Sequence, residues 1–369
     1  MKKIMLSAAV LFIFCSVYAG ADEINNIIKV SAGWDTSYVL LDNGSVWAAG
    51  EKGIIGSESA EDSTAFKNIL NGIKDVTGFG DSFLAIKEDS SLLVYGLNDN
   101  GQLGISEKNI VYEPEPVMQD VVSASGGWYH SMVIKTDSTL WGAGYNKNGE
   151  LGINRGKYSG DISQYTEIFK DVKQVSCGGN HTLILKNDGS LWGAGSNNYG
   201  CLGKKNIIKT DKPVRIMDGV KFIACGFGSS YVVKDNNTLW ACGNNRYGQL
   251  GTGDYENRDF FVKVKDDVKT VSAGYGHTLV ITNDSFLWAA GSNQNGELGL
   301  PDNKAVNIFE KTLDNTSLIT CGFNHSLAVK SDGSLWVSGK NIKGQLGTGD
   351  NKECSSWKMI KPLSAEAEK

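Results

Sequence analysis

The stretch "LWGAGSNNYGCLG" at residues 191–203 decides how this chain is read. Its glycines and small residues resemble a phosphate-cradling loop, which would point to a nucleotide-binding enzyme. The same stretch recurs, however, as "VWAAGEKGIIG" (46–56), "LLVYGLNDNGQLG" (92–104), "LWGAGYNKNGELG" (140–152), "LWACGNNRYGQLG" (239–251), "LWAAGSNQNGELG" (287–299) and "LWVSGKNIKGQLG" (335–347). The tryptophan slot falls at Trp47, Leu93, Trp141, Trp192, Trp240, Trp288 and Trp336, with successive spacings of 46, 48, 51, 48, 48 and 48 residues. A phosphate loop is needed once, at one strand-to-helix junction. Seven copies with no lysine–serine ending and no helical pattern behind them are architecture.

Each unit carries short strand signals. "TLILKNDGSLWGAG" (182–195) has an apolar run, an Asn-Asp-Gly turn and a second apolar run, which is the pattern of a hairpin. Upstream segments such as "FKDVKQVSCGG" add Val-rich β signals, and no segment shows the i, i+3, i+4 apolar spacing of a long helix. Three to four short strands per unit is the content of one propeller blade. The first unit starts abruptly at "EINNIIKVSAG" (23–33), without the strand that precedes other units, and "SSWKMIKPL" (355–363) supplies a spare strand at the other end. The expected fold is therefore all-β, a seven-bladed β-propeller closed by pairing of the C-terminal strand with the first blade, which would leave no edge exposed.

With its Leu-Trp-x-x-Gly-x-Asn-x-x-Gly-(Gln/Glu)-Leu-Gly and Gly-x-x-His-(Ser/Thr) motifs, the chain resembles the regulator of chromosome condensation repeat family across residues 27–363. That resemblance implies seven blades. Unit one departs from the pattern at Ile54, in the Gln/Glu slot, and unit two at Leu93, in the tryptophan slot.

The N-terminus has the form of an export signal: Lys2 and Lys3, an apolar run from Ile4 to Ala19, and small residues at Ala19, Gly20 and Ala21. The expected division is a signal peptide at 1–21, the propeller at 22–363 and a polar tail at 364–369. With the signal removed, the protein is expected to be secreted or extracytoplasmic and monomeric, with no stable membrane insertion. Its formal charge of −5, with no basic block, argues against nucleic acid as a partner.

Four histidines, His130, His181, His277 and His325, share one slot, whose other occupants are read as Thr36, Asp81 and Ser229. Equivalent slots spread around a ring and do not converge as metal ligands must, so the histidines are read as turn-stabilising groups and no metal is expected. Cys177, Cys225 and Cys321 precede the turn glycine where other units are read to have Ala32, Thr77, Gly126 and Ala273; Cys242 sits where others have alanine. These are small packing positions, and no disulfide framework is expected. No cofactor and no catalytic constellation emerge; the expectation is a protein that is not an enzyme.

Directly after the turn glycine, the sequence reads Trp34, Phe79, Trp128, Gly179, Phe227, Tyr275 and Phe323. In a closed ring these aromatics would gather on one face, with Tyr129 extending the patch beside Trp128. Aromatics on a rigid face suit a protein-binding site, because they bury large areas at small entropic cost. The predicted partner-binding residues are thus Trp34, Phe79, Trp128, Tyr129, Phe227, Tyr275 and Phe323. The expected function is an exported, non-catalytic propeller that binds an extracellular protein. Among exported family members it resembles the propeller-type β-lactamase-inhibitory proteins of bacteria, which implies docking on an enzyme such as a β-lactamase or a cell-wall enzyme. The alternatives are guanine-nucleotide exchange on a small GTPase, for which the family is named, and a carbohydrate- or small-ligand-binding propeller.

Overall fold

The computed structural model describes residues 26–52, 61–154, 160–361 and 363. The export segment (1–21), the polar tail (364–369) and part of each long connection lie outside the described residues. The described residues form seven antiparallel four-stranded sheets and contain no helix. In the first, Ile27–Ala32 is the inner strand, followed outward by Thr36–Leu41, Val46–Gly50 and Ser63–Leu70. The six later sheets repeat this order, so each blade runs from the ring's centre to its rim in chain order.

Burial follows that radial order. Second strands such as His181–Lys186 are buried on both faces, because each sheet packs against a neighbour on either side. This is why their sequences read as near-continuous apolar runs. Outer strands such as Lys209–Met217 are half exposed. Between the fourth and fifth blades, Leu183, Leu185 and Leu191 pack with Val220, Ile223 and Val232. Each such leucine contributes about 1.5–3 kcal/mol by burial.

The recurrent Asn-x-x-Gly-(Gln/Glu)-Leu-Gly segment is a loop between third and outer strands, held by its asparagine. Asn197 Oδ1 accepts from the Leu202 N–H at 2.7 Å, and its Nδ2 donates to the Lys204 carbonyl at 2.9 Å. The Oδ1-to-leucine bond recurs at Asn98, Asn146, Asn245, Asn293 and Asn341. Glycines of this loop, such as Gly248 and Gly251, sit at φ of 83° and 70°, where any side chain would be strained.

The expected exchange of the last strand does not occur. Cys354–Met359 pairs with Leu335–Gly339 and completes the seventh sheet, while the first sheet has its own outer strand in Ser63–Leu70. The strand that precedes each unit is the outer strand of the blade before it, so nothing is missing from the first blade. Every outer strand is consequently an edge. Two of them, Ile110–Met118 and Lys209–Met217, carry Pro114, Pro116 and Pro213, which cannot donate to an added strand.

The ring closes by side chains. His325 Nε2 lies 2.9 Å from Ser37 Oγ across the seam between the seventh and first blades, and Ser37 Oγ donates to the Gln345 carbonyl at 2.6 Å. The same relay joins His130 to Thr182 and the Glu150 carbonyl, and His277 to Ser326 and the Glu297 carbonyl. His181 meets Ser230 at 2.8 Å. In each full relay the hydroxyl proton is spent on the carbonyl, so the imidazole must be the donor at Nε2, leaving Nδ1 a bare lone pair. Nδ1 of His130, His277 and His325 accordingly has no hydrogen-bond partner among the described residues.

The histidines are structural, but they bond a hydroxyl on the neighbouring blade and not the backbone of their own turn as expected, and one slot assignment also changes. In the second blade Ser82, not Asp81, aligns with this slot, since it pairs with Gly96 as His130 pairs with Gly144. Seams without histidine use other groups. Tyr231 OH takes the position between Thr278 and the Gln249 carbonyl, Ser131 Oγ donates to the Gln102 carbonyl of the preceding blade at 2.6 Å, and Tyr38 stacks on Phe83 with centroids 4.9 Å apart.

Burial holds His130 and His325 down to about 3 and His181 to about 4, and lowers His277. A depressed histidine contributes stability that is present above the ordinary value of 6.5 and lost as pH falls toward 3–4, because the unfolded chain binds the proton first. Imidazole resonances of the folded protein should stay at neutral-form shifts from pH 8 to 5 by NMR. A histidine titrating near 6.5 would contradict the relay. His325→Ala and Ser37→Ala should each cost about 1–3 kcal/mol in denaturant unfolding, and the double variant less than the sum.

Candidate functional site

The turns between inner and second strands converge on the ring's axis, where they are joined blade to blade by backbone bonds. Trp34 N donates to the Gly80 carbonyl at 3.0 Å, Phe227 N to Gly274 at 3.1 Å, and Tyr275 N to Phe323 at 3.2 Å. The aromatic slot on these turns is occupied by Trp34, Trp128, Phe227, Tyr275 and Phe323, and their rings form a closed circuit. Centroid separations run 5.4 Å from Trp34 to Trp128, 4.1 Å to Phe227, 5.0 Å to Tyr275, 4.5 Å to Phe323 and 6.1 Å back to Trp34. Tyr129 leans at 6.0 Å against both Trp34 and Trp128. All six rings are partly accessible. They form a lid over a channel of about 450 Å³ lined by inner-strand residues such as Ser31, Thr77, Ser125 and Ser176.

Phe79 is not part of this lid. Its backbone pairs with Ser82 while Gly78 pairs with Phe83, which places Phe79 in the turn-glycine position and Gly80 in the aromatic slot. The slot therefore holds five aromatics and two glycines, and the small position before the turn is Gly78 in this blade, not Thr77. Phe79 is 4% exposed and packs between the second and third blades. A Cβ on Gly126 would lie 1.9 Å from its ring, so that neighbour must be glycine. The other glycine of the slot, Gly179, has a comparable reason. A side chain there would meet the Phe227 ring at 2.5 Å, and its absence lets Trp128 and Phe227 touch across the fourth blade.

The lid's surroundings were less visible in sequence. Tyr145 lies 6.3 Å from Tyr129, and Tyr247 lies 6.1 Å from Tyr275. Tyr199 and Tyr247 share the slot before the loop glycines Gly200 and Gly248, a repeat signal that could have revealed them. On the side of the first and second blades the face is acidic. Asp35 accepts from Lys340 at 3.1 Å and Gln345 at 2.7 Å, and Glu51 pairs with Lys343 at 3.1 Å. Asp81 has no side-chain partner among the described residues. Burial, then the charges of Glu51 and Asp35, push its carboxyl up to about 6.

The six described cysteines are all unpaired. The Cys177, Cys225 and Cys321 thiols donate to the Ser125, Ser176 and Ser272 carbonyls of neighbouring blades, and burial pushes all three up to about 12. Among the described residues no three His, Cys, Asp or Glu side chains gather as a metal site would require, and no helix is long and apolar enough to cross a membrane.

A seven-bladed ring of hairpin-built blades with an aromatic-lidded axis defines the class. Residues 162–368 match the RCC1-like domain, and the regulator of chromosome condensation (RCC1) repeat is matched at 89–134 and again at 27–51 and 121–150. The chain belongs to this family of RCC1-repeat propellers.

The ultraviolet-B receptor UVR8 of Arabidopsis thaliana is 29% identical over 191 residues, covering 46% of this chain and 41% of that protein. The probable E3 ubiquitin-protein ligase HERC6 of Homo sapiens is 27% identical over 206 residues, covering 52% of this chain and 20% of that one. The matches thus span about two fifths and one fifth of these relatives. Among solved structures, Prp20p from Saccharomyces cerevisiae superposes with a TM-score of 0.78 at 19% identity, covering 92% of this chain and 87% of that one. Human WBSCR16 gives 0.68 at 20% identity, covering 91% and 82%. At these identities the likeness is one of fold.

Asp81 offers a test of the acidic sector. Its folded value is raised above the ordinary 3.8, so stability falls as pH rises from about 4 to 6, where the unfolded chain has already lost this proton, and the full penalty of the charge is present above pH 6. Asp81→Asn should therefore raise stability at pH 7.5, by roughly 1 kcal/mol after allowance for solvent screening. The gain should shrink below pH 6 and vanish near pH 3.5, below the ordinary carboxylate value. Equal thermal shifts at both pH values would show that Asp81 is not perturbed in this way.

Proposed function

We propose that this chain is an exported docking module that binds a protein partner through its aromatic lid and carries no catalytic chemistry of its own. The observation that carries the reading is the closed circuit of five partly accessible rings, carried on turns of which several are hydrogen-bonded to the turn of the next blade. Such rings are already ordered before binding, so little side-chain freedom remains to be lost on contact. Fold neighbours lend support: the Prp20p structure is described with its binding to Gsp1p and histones, and yeast RCC1 has been solved with Kap60 bound. The lid lies at the axis of the ring with its rings partly open to solvent, which suits covering the cleft of an extracellular enzyme, such as a β-lactamase or a cell-wall enzyme. Export rests on Lys2, Lys3 and the apolar run that ends in Ala19-Gly20-Ala21. The acidic sector around Asp81 and Glu51 favours a partner with a basic rim. In this reading the protein acts as a monomer.

Affinity capture from the secreted and surface proteome, followed by binding measurements on the captured partner, tests the proposal. Trp34→Ala and Trp128→Ala should each weaken binding by about 2 kcal/mol or more, the loss expected of a central aromatic anchor. Phe79→Ala should instead cost about 3–5 kcal/mol of folding stability and leave the affinity of the remaining folded protein unchanged. Normal binding by both tryptophan variants would refute the lid as the docking site. Fold likeness to Prp20p also keeps nucleotide exchange on a small GTPase in view. Secreted protein with a mature N-terminus near Ala21 would remove that reading.

A further inference from the structure

Beside the lid, the loops of the fourth to sixth blades enclose a separate cleft of about 520 Å³, within the size range of small-ligand sites. Its walls are the rings of Tyr199, Tyr247, Tyr255, Tyr275 and Phe227, and its polar groups come from Asn244, Arg246, Glu256 and Asn257. Tyr199 and Tyr255 are 44% and 51% exposed, so ring surface is available to a ligand. Tyr247 and Tyr275 pack together at 6.1 Å on the inner side.

The polar groups are arranged in an unusual way for a surface. Asn244 Oδ1 accepts from the Arg246 N–H at 2.9 Å, and Asn257 Oδ1 accepts from the Asn245 N–H at 2.8 Å. Each amide is thereby oriented, with its Nδ2 group left without a partner among the described residues. The Arg246 guanidinium and the Glu256 carboxylate also lack partners there and do not pair with each other, although both line the same cleft.

Those two charges narrow the ligand's chemistry. A carboxylate would gain Arg246 and be repelled by Glu256, and an ammonium group would meet the reverse. A neutral, polyhydroxylated ring suits both, since each hydroxyl can donate to Glu256 or accept from Arg246 and the two amides. The apolar C–H faces of such a ring match the flat tyrosine surfaces. We propose that this cleft binds a neutral saccharide, with Tyr199 and Tyr255 as stacking platforms and Asn244, Arg246, Glu256 and Asn257 as the hydroxyl-reading groups. The cleft shares Phe227 and Tyr275 with the lid but does not require the lid to bind protein.

The test is calorimetric titration of the full secreted chain with cellohexaose, chitohexaose, maltohexaose and xylohexaose, at up to millimolar concentration. At least one should bind saturably. Tyr255→Ala and Arg246→Ala should each weaken it at least tenfold without lowering the melting temperature, because both side chains are exposed and neither holds a bond among the described residues of the fold. Trp34→Ala, on the far side of the lid, should leave saccharide affinity unchanged. Absence of binding by all four sugars would overturn the proposal. So would unchanged affinity of the Tyr255 and Arg246 variants, or saturable binding of a hexaglutamate peptide in place of sugar. None of these outcomes bears on the lid, which is tested by protein capture.

Discussion

A ring of sheets must be joined to itself, and the joint cannot be made by a continuous backbone. In this protein it is made by a buried imidazole that donates across the seam to a hydroxyl, which passes its own proton to a loop carbonyl. The bond from His325 to Ser37 spans 288 residues of chain, yet it has the same form as those between consecutive blades. A buried polar group without a partner costs about 1–3 kcal/mol, so a blade displaced from its neighbour would forfeit each relay and expose its cost. Where histidine is absent the constraint is met by other means, with the Tyr231 hydroxyl between Thr278 and the Gln249 carbonyl as the nearest mimic. Because the seventh seam carries the same relay as seams between consecutive blades, the ring closes without a strand exchanged between chain ends.

That closure fixes the lid. Each aromatic rides on a turn whose position is set by the seams on either side of its blade, so the rings meet only if the circle is complete. Their number is also constrained. With Gly179 replaced by any larger residue, Phe227 would have to leave its place against Trp128. Five rings already touch in a closed circuit, and the two glycine positions provide the room in which their neighbours lean inward. The lid is therefore a packed object that stays partly open to solvent, which is the arrangement an interface anchor needs.

Much of this was legible in the sequence. The tryptophan spacing gave seven units, the Asp-Gly turns gave hairpins, and the repeated histidine slot pointed to a structural role. Six of the seven predicted site residues, Tyr129 among them, lie together at the axis. Phe79 was misplaced because "GFGD" can be aligned with its phenylalanine in either of two adjacent slots, and only strand pairing distinguishes them. The strand exchange was inferred from an apparent gap at the first unit, where the sequence does not say whether a strand belongs to the blade before or the blade after it. The flanking tyrosines Tyr199 and Tyr247 escaped notice because two copies of a slot do not make a pattern until the fold brings them beside Tyr275.

The most perturbed titratable groups of this protein are also the least available for chemistry. His130, His181 and His325 are held to values of about 3–4 inside the seams, and burial lowers His277 as well, so they stay neutral and are engaged across a seam. Cys177, Cys225 and Cys321 reach the channel wall beneath the lid, but thiols held near 12 carry almost no thiolate at neutral pH, and thiolate is the reactive form. Strong perturbation often marks a functional cleft; here its cause is burial between sheets, and its product is a rigid ring. What remains free to engage another molecule is the solvent-facing end of the axis: aromatic faces, unpaired amides, Arg246, Glu256 and Asp81. The division is a physical one, since the groups that shut the ring are consumed in shutting it, and recognition falls to residues that no seam requires.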